Sequence, residues 1–235
     1  WVLEGPLKVV NAAPGTVDSG KLPLESLATQ ARVSAKAARL DQLLIELPGK
    51  GKISGMLDWA ADDSGATPGQ LTAALELAGI RPQQIQSTLP NTVVQGRIDA
   101  EGGIAEQTAD LDVRIGEAAV VATGLSVPAS GETPARFEAK GELRQLDPAA
   151  FVPDAPKAAL NLTFDTEGVL KETAEIGARW QFAPSRIANL PLTGKGDVKV
   201  IGARLTAADV ALALAGNDVK LKGAWGARGD VMNVN

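Results

Sequence analysis

The sequence predicts an all-β protein: an antiparallel sheet assembled from strand-turn units, with one or two short helical turns. Three observations carry this. Residues 64–102 and 130–168 align without a gap at an offset of 66, with 12 identical positions out of 39. Apolar and polar residues alternate with period two through most of the chain, which is the pattern of strands with one buried face. Gly and Pro recur at hairpin spacing, at Pro48-Gly49, Gly102-Gly103, Ser130-Gly131, Gly194-x-Gly196 and Gly216-Asn217-Asp218. Such residues supply tight connections between antiparallel strands.

The repeat is anchored by SGATP (Ser64 to Pro68) against SGETP (Ser130 to Pro134), Glu76-Leu77 against Glu142-Leu143, Pro82 against Pro148, and Asp99-x-Glu101-Gly102 against Asp165-x-Glu167-Gly168. Repeated supersecondary units grow by stacking on neighbours rather than by closing one central core. No low-complexity linker or shift in composition divides the chain, so residues 1–235 read as one continuous repeat-built module.

The strands follow in order. Trp1, Leu3, Gly5, Leu7 and Val9 share one phase, as do Leu57 with Trp59, and Leu111, Val113 and Ile115. Further on come Leu160, Leu162 and Phe164, then Trp180 and Phe182. Val210, Leu212 and Leu214 follow, and Val219, Leu221 and Trp225 close the series. From Leu57 onward these apolar positions are the candidate lining of a groove. The stretch 24–40 is rich in helix formers, yet from Leu27 to Ala38 its polar residues other than Thr29 fall on the even phase. It is predicted to be strand, because pattern outranks propensity where flanking segments agree. Asp147-Pro148 reads as an N-cap with Pro at the first helical position. Its repeat partner, Arg81-Pro82, keeps the Pro without the cap. Ile85 and Phe151 are expected to point inward from these turns. A fainter echo relates 39–43 to 186–190 and 47–51 to 190–196.

Composition excludes several classes of function. Apolar residues are 45% of the chain but aromatics only 3%, so Ala, Val and Leu must build a thin core. A net charge of −5 argues against a nucleic-acid partner. There is no Cys, His or Tyr, which removes thiolate nucleophiles, imidazole bases and the usual zinc ligands. No enzyme activity, cofactor or metal is therefore expected. Asp62-Asp63 beside Ser64-Gly65 has turn composition, and the repeated Asp-x-Glu pairs read as caps of strand ends. Gly194-Lys195-Gly196 is too short for a phosphate loop. Lys220 and Lys222 fall on the polar phase and should face solvent. The chain begins at Trp1 and has no run of 18 apolar residues. It reads as a piece of a longer polypeptide, with any membrane anchor outside it.

Several phrases together resemble a known family. They are Gly20-Lys-Leu-Pro-Leu24, Leu47-Pro-Gly-Lys-Gly-Lys-Ile-Ser-Gly55 with Leu57-Asp-Trp59, Glu142-Leu-x-x-Leu-Asp-Pro-Ala-Ala150, and Asn217-Asp-Val-Lys-Leu-Lys-Gly223 with Trp225-Gly226. The chain is similar to the C-terminal part of TamB-like proteins, within the AsmA-like group of bridge-like lipid transfer proteins. The resemblance implies an elongated antiparallel sheet curled into a U-shaped groove, the β-taco, with a hydrophobic trough. It implies a periplasmic location with an inner-membrane anchor, and an outer-membrane TamA-like partner contacted through segments outside this chain. It also implies transport of phospholipid, or delivery of outer-membrane proteins.

A trough is physically reasonable. A sheet of alternating strands has one apolar face that a second layer or a ligand must cover. Small residues on that phase, such as Gly55, Ala73, Gly141, Ala178 and Gly223, are expected to leave room for phospholipid acyl chains. The alternatives are a scaffold that holds nascent outer-membrane strands by edge pairing, and a filled sandwich or solenoid.

Overall fold

The computed structural model describes residues 1–61, 69–103, 105–152 and 154–235. The fold is all-β, one antiparallel sheet of fifteen strands whose order follows the chain. The chain divides into two compact units, Trp1–Gly116 and Glu117–Asn235.

The first unit holds β1 (Val2–Val10), β2 (Ser26–Ser34), β3 (Ala37–Leu47), β4 (Gly51–Ala60), β5 (Gln70–Ile80), β6 (Val94–Gly103) and β7 (Gln107–Ile115). The second holds β8 (Ala118–Val127), β9 (Ala135–Leu146), β10 (Ala158–Leu170), β11 (Glu175–Ile187), β12 (Leu190–Ile201), β13 (Arg204–Leu214), β14 (Asn217–Trp225) and the short β15 (Met232–Val234). The stretch 24–40 is strand from Ser26 onward, broken by a bend at Ala35-Lys36 that separates β2 from β3.

The repeat is a structural unit of strand, short helix and strand. β5, helix α1 (Pro82–Ile85) and β6 in the first unit match β9, a 3₁₀ turn at Pro148–Ala150 and β10 in the second. Asp147 caps its turn as the sequence predicts, its carboxylate accepting from Ala149 N at 3.1 Å. Arg81 makes no side-chain cap. Ser64 to Pro68, Asp62-Asp63 and Pro153 lie outside the described residues.

Three expectations are corrected. The faint echo joins unlike structures: Gln42 sits in a bulge inside β3, whereas Ala188-Asn189 is the β11–β12 hairpin turn. Gly194-x-Gly196 lies inside β12 and is not a turn. Phe151 is 40% exposed rather than inward, while Ile85 is half-buried.

Bulges recur near one end of both units. The β2–β3 register shifts between Ala28 and Gln30, and the β11–β12 register between Phe182 and Ser185. A bulge leaves backbone groups unpaired and bends its strand. Buried hydroxyls answer that need: Thr29 Oγ1 donates to Asp41 O at 2.8 Å, and Ser185 Oγ donates to Asn161 O at 3.1 Å.

Candidate functional site

Register assigns each side chain to a face, because residues opposite one another in a ladder point the same way. In the first unit Leu7, Thr29, Leu43, Gly55, Leu75, Ile98 and Leu111 fall on one face. Leu57, Trp59, Val113 and Ile115 share it. In the second unit one row runs Leu143, Leu162, Phe182, Gly194, Leu212 and Val219. The next runs Gly141, Phe164, Trp180, Gly196, Val210 and Leu221. Leu160, Leu214 and Trp225 continue that face by alternation. The predicted lining residues of each unit therefore share one face of that unit's strands.

Burial on this face is incomplete. Val210 is buried, Trp225 is 72% exposed and the other predicted lining residues are half-buried. Trp1, placed by the sequence on the same phase, is 82% exposed. Among the described residues no large side chain is fully buried. The accessible surface is 14802 Å². A compact chain of this mass would expose about 10,000 Å², and two separate compact bodies of half that mass about 12,000 Å² together. The excess means that much of the strand surface is left uncovered by the chain itself.

The glycines among the small residues, Gly55, Gly141 and Gly223, have a different physical role from the one expected, since a Cβ on each would lie within 2.2 Å of a neighbouring carbonyl oxygen. A Cβ on Gly55 (φ +148°) would lie 1.9 Å from Ala74 O, so glycine is there to let two strands approach. Gly196 is roofed by the Trp180 ring, and Gly168 by Phe137. The space beside these glycines is filled by backbone and aromatic rings rather than left open.

The concavities differ between units. In the first, a hollow of about 310 Å³ is lined by Trp59, Leu71, Ala100, Gly102 and Gln107 of the apolar face, together with Gly69, Glu101, Gly103 and Thr108. In the second, a hollow of about 1140 Å³ includes Lys140, Asp165, Arg179, Asp197, Asp209 and Lys222. Register makes these six one continuous row on the polar face. The sequence reasoning did not foresee a charged concavity of this size.

Polar-face charges pair across strands. Arg39 bonds Asp58 at 3.0 Å, Arg179 meets Asp165 at 3.5 Å and Lys222 meets Asp209 at 3.3 Å. Asp41 and Asp99 are held below the usual carboxylate range by hydrogen bonds from Arg39 and Arg97. Pairs this open to solvent add little to stability one by one, because water and salt screen them. Together they favour one register, since a one-residue slip would move every charge onto the apolar face. The row carries both signs and no nucleophile-base pair.

Leu43, 2% exposed, is an apolar-face residue that alternation missed. The Gln42 bulge (φ +53°) shifts the phase of β3, so Leu40 and Leu43 look out of step in sequence. Among the described residues no cluster of three His, Cys, Asp or Glu side chains could hold a metal, and no helix is long and apolar enough to cross a membrane. No known family, curated protein or solved structure matches the chain.

Proposed function

We propose that the chain is a groove segment of a TamB-like, AsmA-like periplasmic protein that shields phospholipid acyl chains between the inner and outer membranes. It acts without catalysis, and a TamA-like outer-membrane protein is its partner through other parts of the polypeptide. The observation that carries this reading is the apolar face: continuous in register within each unit, half-buried, and accompanied by surface beyond what two compact bodies expose. Each methylene moved from water onto such a face contributes about 0.8 kcal/mol. Adjacent strands offer similar apolar contacts, so a bound chain can shift along the face without a deep trap.

The strand edge supports a conduit over a scaffold for nascent strands. Asn11 N donates to Glu25 O at 3.0 Å, so odd residues of β1 turn their backbone groups toward β2 and even ones turn outward. Pro6 is then an outward position without an N–H, and Lys8 follows it. Both features discourage an added strand. β15, at the other end of the strand order, has only three residues.

Native mass spectrometry of the chain purified from cells tests the reading. Phospholipid should stay bound, and Leu162→Asp or Leu212→Asp should release it while circular dichroism retains the strand signal. A lipid-free wild-type chain that also fails to take up added phospholipid would overturn it.

A further inference from the structure

We infer that the β1–β2 connection, residues 11–25, is a releasable strap closing one end of the first unit's apolar face, with Asp18 and Ser87 as its latch. This rests on the apolar face being the acyl-binding surface.

Neighbouring antiparallel strands need only two to five linking residues, and β2–β3 uses two. Fifteen residues between β1 and β2 are not demanded by topology. The segment is organised largely by its own bonds. Asn11 Nδ2 donates to Leu22 O at 3.1 Å, and Lys21 N to Thr16 O at 3.2 Å. At its base Glu25 N donates to Glu46 O at 2.8 Å. Its far tie is at the tip, where Ser87 N donates to Asp18 Oδ1 at 3.0 Å and Ser87 Oγ to Asp18 Oδ2 at 2.6 Å. Ser87 lies in the connection between β5 and β6, just after α1. The strap therefore bridges the β1–β2 side and the β5–β6 side at one end of the sheet.

Apolar burial is concentrated at that end. Leu43 is 2% exposed, Ile80 7% and Leu47 8%. The opposite end carries the Trp59 hollow, with Leu71 45% exposed. Two of the strap's apolar side chains stand open to solvent, Val17 at 56% exposure and Leu22 at 61%. A segment held at its tip by an exposed polar clasp belongs to the low-stability class of structure that opens locally. Opening it would expose the closed end without unfolding the sheet.

The test pairs hydrogen exchange with loading of a fluorescent phosphatidylcholine from vesicles, using wild type, Asp18→Ala and Ser87→Asp. Ser87→Asp sets a second carboxylate against the first. Both variants should raise exchange at least about tenfold in residues 11–25, leave β3 and β4 protected, and load lipid several-fold faster at similar final occupancy. Unchanged exchange in the strap would overturn the latch. Faster exchange with unchanged loading would overturn the gate. If wild type and variants alike take up no lipid, the acyl-binding reading fails and the gate with it, while the exchange data still decide whether the latch exists.

Discussion

The two copies of the repeat meet different surroundings after the same strand. In the first, α1 follows Arg81, which offers no cap, and the turn is supported from outside. A Cβ on Gly49 would lie 3.0 Å from the Gln84 side chain, and Ser87 just beyond the helix clasps Asp18. In the second, Asp147 holds its own turn, accepting from Ala149 N and, at 3.0 Å, from Ala158 N at the start of β10. Ile85 is half-buried, but its counterpart Phe151 is 40% exposed. A shared backbone path can thus be secured by local capping or by tertiary contact, and only the second choice ties another connection of the unit to the turn.

The comparison can be broken most severely at glycines inside the strands. Gly55→Val in the first unit and Gly194→Val in the second each place a Cβ within 2.3 Å of a neighbouring carbonyl oxygen. Each is expected to destabilise its own unit by about 3 kcal/mol or more, read as a fall in the urea midpoint. Next in size, Asp147→Ala should destabilise the second unit by about 1–2 kcal/mol, since two backbone donors lose their acceptor. Arg81→Ala at the matching position should stay within about 0.5 kcal/mol. Equal losses at the two positions would show that the copies do not differ in how they are held.

The smallest effect is a pH dependence confined to the strap. Hydrogen bonds from Ser87 hold the Asp18 carboxyl down at about 2. A depressed carboxylate stabilises the folded form above its unfolded value, near 4, and loses that contribution as pH falls through the folded value. Strap protection should therefore be full above about pH 4 and decline toward pH 2. Amide exchange across residues 11–25, corrected for intrinsic rates, should show this decline in wild type and none in Asp18→Asn.

Much of the fold is legible in the sequence, for reasons specific to particular residues. Alternation in β13, where Val210, Leu212 and Leu214 interleave with Ala211 and Ala213, fixes both the strand and its apolar face. The turn at Asp147 is readable because capping is a local interaction. Alternation fails at Gln42, where a bulge advances the phase and hides Leu43. Two further features were out of reach. The Asp18–Ser87 clasp joins residues 69 positions apart. The charged hollow of the second unit depends on register across β9 to β14, and no single strand announces it.

The central claim concerns which face carries cargo, and β13 offers an internal control. A photoreactive amino acid replacing Leu212 sits on the apolar face, and the same group replacing Asp209 sits on the polar face. Crosslinking in vesicle-loaded protein should capture phospholipid at position 212 and little at position 209. Capture at 209 alone, or equally at both, would contradict the account.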